Sequence, residues 1–146
     1  MYLQFQIEGE KQLSRKLVGI SVKARNWRPQ MRKIGKYLVG VFSGPVFDTR
    51  GREIGEPWKK RKIPAPWPLL QRSGKMRRSF KSLPRMVSVE IMNTADYFKY
   101  HQSSKPRTSK LPRRVMMKID SKRKEGIVKI IHKALINDII RKRYGA

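Results

Sequence analysis

Apolar residues repeat at helical spacing in two stretches of this chain and at strand spacing between them, and that pattern limits the folds open to it. Leu13, Leu17, Ile20, Ala24 and Trp27 recur at steps of three and four, which is one face of a helix. Pro29 interrupts, and Met31, Ile34, Leu38 and Val41 resume the pattern. Proline is tolerated in a first helical turn, where its missing N–H would have no partner. Residues 11–42 therefore read as two helices or one kinked helix, ended by Ser43, Gly44 and Pro45. After Ser121, a plausible cap, the helical period returns: Ile127, Ile130, Ile131, Ala134, Leu135 and Ile139 line one face of a helix over 121–143.

The strand signals are shorter. YLQFQI at 2–7 predicts a strand within residues 1–10. Val87, Val89 and Ile91 alternate within 86–92, the best strand in the sequence, and 115–119 predicts a partner for it. Within 73–119, Ser73 can cap a short helix carrying Met76, Phe80 and Leu83 on one side, and Asp96–Gln102 predicts a turn or short helix. Helices with one apolar face each must bury it. The expectation is one α+β domain over 1–146: a small antiparallel sheet packed with the N-terminal helix or kinked pair and the long C-terminal helix.

Between Pro45 and Arg72 no long period exists. Pro45, Gly51, Gly55 and Pro57 precede Trp58, and Pro64, Pro66 and Pro68 follow it. A small hairpin around Arg50 and Gly51 suits Val46–Ile54, and the rest reads as a long Pro-rich basic loop, a length of connection that is often functional. Trp27 lies on an apolar helix face and is expected in the core. Trp58 and Trp67 suit either the core or a subunit interface.

Charge narrows the partners. The 146 residues carry 36 Lys and Arg against 10 Asp and Glu, a formal charge of +26. Such a chain repels itself unless an anionic partner neutralises it; DNA, RNA, an anionic membrane and an acidic protein all qualify. Basic clusters stand at Lys59, Lys60, Arg61 and Lys62, at Arg72–Arg78 with Arg77 and Arg78 after a Ser-Gly turn, at Arg113–Arg114 and at Lys122–Lys124. The last group sits at a helix start, the unfavourable end of the dipole unless it meets an anion. Charge of this kind attracts phosphates without reading bases, and no zinc-finger or RNA-recognition motif accompanies it.

Signals for chemistry are few. With no cysteine, disulfides, thiolate catalysis and Cys-based zinc sites drop out. His132 reads as a surface or structural residue, and His101 has no convincing set of metal ligands near it in sequence. Glu53 and Glu56 read as exposed and solvated. No phosphate-loop, dinucleotide, nucleophile-elbow or zinc-protease motif occurs. No enzyme activity, metal or cofactor is expected. No apolar run approaches the roughly 18 residues of a membrane helix, and residues 1–10 lack the pattern of a signal peptide, so no membrane partner is expected.

Several stretches together resemble the tailed-bacteriophage virion-morphogenesis family of tail-completion proteins. Phe42, then Gly51, then Trp58 with a basic segment follows the family's order of helix, Phe, Gly, Trp and Lys-rich loop. Leu69–Phe80 is similar to its L-x-x-T-G-x-L-x-x-S element, with Ser73 for Thr and Met76 for Leu. Asn93–Gln102 resembles its N-x-x-x-Y-A-x-x-H-Q element, and Leu111–Met116 its L-P-A-R element before a helical C-terminus. The resemblance covers roughly residues 11–143. Ser103-Ser104 stands where the family often has Phe-Gly, and either Arg113 or Arg114 can match the family arginine.

The resemblance implies a structural virion protein of the head–tail junction, made in the bacterial host cytoplasm. It would form a homo-oligomeric ring, six copies suiting a six-fold tail, and meet other neck, connector and tail-tube proteins around the DNA channel. The implied assembly residues are Trp58, Gly74, Tyr97, His101, Gln102, Pro112 and Arg113. Gly74 would allow a tight turn, Tyr97 would pack its ring on the sheet, and His101 and Gln102 would set the following loop by hydrogen bonds. Lys59–Lys62, Arg77 and Arg78 would face DNA or an acidic neighbour. The alternative is a non-specific, charge-driven nucleic-acid-binding protein.

Overall fold

The computed structural model describes residues 2–6, 26–103 and 111–144. The fold is α+β, with a small antiparallel sheet, an N-terminal helix and a long C-terminal helix. Elements run in the order β1 (Tyr2–Gln6), α1 (Arg28–Ser43), α2 (Pro45–Asp48), a 3-10 turn (Arg52–Ile54), α3 (Lys75–Arg78), β2 (Phe80–Pro84), β3 (Ser88–Asn93), α4 (Phe98–Gln102) and α5 (Ser121–Tyr144). The helical reading of 11–25 and the strand reading of Ile7 lie outside the described residues.

Helix α1 starts one residue before Pro29 and buries Met31, Ile34 and Leu38, as the spacing predicts; Phe42 rather than Val41 completes the buried face, and Val41 is half-buried. That face lies across the three-stranded sheet, whose order is β1-β3-β2 with both neighbours antiparallel to β3. The approach is close at Gly35, where a Cβ would stand 2.8 Å from that of Ser82 and 3.1 Å from a methyl of Val89. On β3 the core side carries Val89, Ile91 and Asn93, while Glu90 and Met92 are half-buried on the other. Trp27 is half-buried against the core.

Three strand expectations change. Residues 80–84 are β2, not the second turn of a helix begun at Ser73. Phe80 faces the core, and Leu83 falls on the open side at 45% exposure. The hairpin to β3 is closed by Arg85, whose N–H donates to the carbonyl of Ser88 and whose guanidinium pairs with Glu90 at 2.9 Å. Met86 and Val87 sit exposed at its tip, so β3 begins at Ser88 rather than at residue 86. Conversely, residues 115–119 are not a strand. They are extended, buried at Val115, Met116 and Met117, and held by side chains instead of a sheet ladder.

Val46–Ile54 is not a hairpin either. Pro45 follows Gly44 as the first residue of α2, because a fixed φ and no need for an N–H donor favour starting a new helical turn. The chain then reverses through Arg50 (φ 53°) and Gly51 (φ 81°). Thr49 ties the reversal by donating its hydroxyl to the Pro45 carbonyl and accepting the Glu53 N–H. This knot brings Phe47 edge-on to Trp58, with ring centroids 5.2 Å apart. Phe47 and Phe98 in turn meet Phe80 edge-on at 6.2 and 5.8 Å, which joins helix, loop and sheet in one aromatic core.

Helix α5 packs on α1. It is capped by Asp120 rather than Ser121: the Asp120 carboxylate accepts the Arg123 N–H. Ile127 and Leu135 are buried, and Ile130, Ile131 and Ala134 half-buried, as the spacing predicts. Ile139 is 43% exposed, against expectation, and Ile136 and Ile140 are exposed beside it. No described helix is long and apolar enough to cross a membrane.

Candidate functional site

The residues that carry the family resemblance converge on two segments outside the helices and the sheet, 57–72 and 111–119, where most of them act as fasteners. Trp58 is buried, and its indole N–H donates to the Val115 carbonyl at 2.6 Å. Gln102, at the end of α4, makes three bonds: its amide NH₂ donates to the Met117 carbonyl at 2.7 Å, and its oxygen accepts the N–H groups of Met116 and Met117 at 2.8 and 3.1 Å. One side chain thus satisfies the backbone polar groups that a neighbouring strand would otherwise take, which is why 115–119 can be buried outside the sheet. His101 is also buried, and its carbonyl accepts the Arg114 N–H at 2.9 Å. The segment fixed by His101 and Gln102 is therefore 114–117. The loop immediately following, 104–110, lies outside the described residues.

Gly74 takes the left-handed conformation (φ 65°) and opens α3, as the turn requires. Pro112 is half-buried. Of the two arginines that follow, Arg113 is exposed and Arg114 is buried, donating Nε–H to the Lys59 carbonyl at 3.0 Å. Arg114 is thus the structural residue of the pair. Burial, and then the nearby charge of Arg61, push its guanidinium pKa down. Tyr97 does not pack its ring into the sheet; it is 38% exposed and lines a cavity.

The basic residues divide. Lys59, Lys60 and Lys62 are exposed. Arg61 is half-buried and donates to the Trp67 carbonyl at 2.8 Å. Arg78 is exposed and donates to the Ser73 carbonyl. Arg77 is committed within the chain: it pairs with Asp48 at 2.9 Å, bonds Gln71 and lies over the Phe47 ring. Lys122 pairs with Glu53, so the anion that offsets the basic start of α5 comes from the chain itself.

Two adjoining cavities sit where the Pro-rich loop folds back. The first, about 350 Å³, is lined by Arg50, Arg52, Lys60 and Arg61 with Trp58 and Trp67. The second, about 360 Å³, shares Arg61 and Trp67 and adds Arg72, Arg114 and Tyr97. Trp67 stands between them, 37% exposed, with the Arg72 guanidinium 5.1 Å over its ring. Among the described residues no carboxylate lines either cavity. Leu70 holds a positive φ of 61°, a costly conformation for a non-glycine residue, at the back of the second. The geometry can hold anions and apolar groups side by side.

The run Lys59–Lys62 is legible in the sequence, whereas the placing of Arg50 and Arg52 on one cavity and Arg72 on the adjoining one is not, because the cavities meet only at Arg61, Trp67 and Leu69. Sequence reasoning also reads Glu53 and Glu56 as solvated. Glu53 is the anchor for Lys122 and for the buried Arg123, and Glu56 pairs with Lys118 at 2.6 Å. No spacing signal could reveal a pair 70 positions apart.

Replacing Trp58 by phenylalanine keeps an aromatic ring beside Phe47 and removes the indole donor together with part of the buried ring volume. The buried Val115 carbonyl then loses its partner, which costs about 1–3 kcal/mol. The expected readout is a lower urea midpoint with an unchanged slope.

No family model, curated protein or solved structure matches this chain.

Proposed function

We propose that this chain is a structural protein of the tailed-phage head–tail junction, a neck or tail-completion subunit that acts by docking within an oligomeric ring and performs no catalysis. The observation that carries the reading is the use made of the resemblance residues. Trp58, Gln102, His101 and Arg114 spend their polar groups on holding the loop 57–72 and the segment 111–119 in place. Residues that build a rigid presenting surface suit an assembly part. Lys59, Lys60, Lys62 and Arg78 stay exposed for a partner. In this reading the protein is made in the host cytoplasm and incorporated in the virion, and it contacts connector and tail-tube proteins around the DNA channel.

Electron cryomicroscopy of purified virions tests it: a closed ring of this chain at the neck is expected. Absence of the chain from virions by mass spectrometry overturns the reading. A second reading, a non-specific nucleic-acid-binding protein, draws on the excess of 36 cationic over 10 anionic residues. It predicts binding to duplex DNA of any sequence, with an affinity that falls steeply and log-linearly with salt.

A further inference from the structure

We propose that the paired cavities beside Trp67 are a receptor for an extended acidic peptide segment of a neighbouring protein, one that alternates carboxylates with apolar side chains. The inference rests on the reading of this chain as a part that docks on other proteins, and it names the chemistry of one such contact.

Three observations carry it. The first is charge. Arg50, Arg52 and Lys60 line one cavity, Arg72 and Arg114 the other, and Arg61 both. Among the described residues none of these six is paired with a carboxylate. A row of like charges held by the fold is relieved by an anion, and guanidinium groups match carboxylates in a two-point geometry. Arg61 and Arg114 line the second cavity together, and burial and then the charge of Arg61 push the Arg114 guanidinium pKa down.

The second is shape. Each cavity, of about 350 and 360 Å³, takes side chains rather than a duplex, whose phosphates are carried on a wide convex surface. Pro57, Pro64, Pro68 and Leu69 supply apolar wall between the cations of the first. Such a lining favours a chain that presents apolar and acidic groups in turn.

The third separates a peptide from single-stranded nucleic acid. Bases bind by stacking on open aromatic faces. Here Trp58 is 7% exposed with its N–H committed to Val115, and Arg72 covers one face of Trp67. The stacking platform is largely taken, whereas the cationic groups of Arg50, Arg52, Lys60 and Arg72 meet no carboxylate among the described residues, and Arg61 and Arg114 each give only one N–H to a backbone carbonyl.

The test is a fluorescence titration of the isolated protein with a short labelled peptide of alternating Glu and Leu, at physiological salt, beside an oligothymidylate of equal length. Two double variants of equal charge change are compared. Arg52→Glu with Arg72→Glu alters both cavities. Lys129→Glu with Lys133→Glu alters exposed positions on α5. The cavity variant is expected to weaken the peptide by about tenfold or more, and the α5 variant by about twofold or less, because exposed charges beyond a Debye length are screened. Oligothymidylate is expected to respond to both variants alike. Equal loss of peptide binding in the two variants overturns the proposal. So does a loss of oligothymidylate in the cavity variant that exceeds the loss of peptide, which makes the site one for nucleic acid. Circular dichroism checks folding. If the cavity variant unfolds, Lys60→Glu against Lys129→Glu makes the same comparison, since the exposed Lys60 side chain holds no part of the loop. A failed titration leaves the junction role standing, and absence from virions leaves a positive titration standing, so the two proposals fail separately.

Discussion

Alanine in place of Gly51 is expected to lower the stability of the fold by about 2–5 kcal/mol. Two costs add at this position. Gly51 has φ 81°, a left-handed conformation that costs an L-residue about 1–2 kcal/mol. In addition a Cβ there would run into the Glu56 carbonyl oxygen and come within 2.5 Å of the Trp58 indole. Neither neighbour can step aside. Glu56 donates its N–H back to the Gly51 carbonyl, and Trp58 is wedged between Phe47 and the Val115 carbonyl. Overpacking of this kind adds about 1–3 kcal/mol. The sum, on the order of 2–5 kcal/mol, is a large part of the 5–15 kcal/mol by which a typical domain is stable. Gly55 is the control. It shares the left-handed conformation (φ 70°), but nothing lies within 4 Å of its Cβ position. Gly55→Ala should therefore show the backbone cost alone, and the difference between the two urea midpoints measures the clash. Equal midpoints would show that the reversal at Gly51 is not packed as described.

The second large effect is expected at Arg123. Its side chain is 1% exposed, yet it carries a full charge; the two terminal nitrogens bond the Glu53 carboxylate, the Glu53 carbonyl at 2.7 Å and Asp120 at 3.0 Å, while the buried Nε has no partner among the described residues. These hydrogen bonds and charges outweigh the burial that disfavours the cation, so the guanidinium pKa is raised. Helix α5 is thereby pinned to the loop 51–56, at the level where Gly126 lets the Tyr37 ring approach. Arg123→Met keeps a long side chain of similar volume and removes the charge, leaving Asp120 without its cation and Glu53 with Lys122 alone. Breaking one side of a buried pair costs about 3–5 kcal/mol. The lower end applies here, since the Glu53 side chain keeps 22% of its exposure.

The same cluster sets an acid limit. Hydrogen bonds from Lys122 and then Arg123 hold the Glu53 carboxyl below the usual carboxylate range. Its contribution to stability is therefore fully present above the unfolded-state pKa, about 4.3. It is lost as pH falls through the lower folded value. The stability of the wild type should fall more steeply below about pH 4.3 than that of Glu53→Gln, when melting is followed over an acid series. Parallel curves would show that the ion pair is not made in solution.

Asp120 illustrates how far local sequence carries such a site. A cap at the start of α5 is readable from the polar residues before Ile127, although the sequence favours Ser121 and the fold uses its neighbour. The role of Asp120 as a second counter-charge to Arg123 is not readable, because it depends on Glu53 arriving from the far side of the loop. The same holds at Arg113 and Arg114. Two adjacent arginines follow Leu-Pro, and it is the carbonyl of Lys59, 55 positions away, that holds the second in the interior and leaves the first exposed.

By itself the sequence determined the α+β class, the apolar faces of α1 and α5, the strand β3 and the turn at Gly74. Each depends on spacing or backbone freedom within a few residues, and periodicity reports which face must be buried whatever covers it. Tertiary structure decided that 80–84 is a strand and 115–119 is not. Both are short apolar segments with backbone groups to satisfy. Phe80–Pro84 lies in reach of β3, while Met116 and Met117 meet the side chain of Gln102 instead. Tertiary structure also decided that Arg123 is buried, that Arg77 is committed to Asp48, and that Arg50 and Arg52 line one cavity and Arg72 the adjoining one. A charge has no period, and its partner is chosen by distance in space, which the order of residues along the chain does not contain.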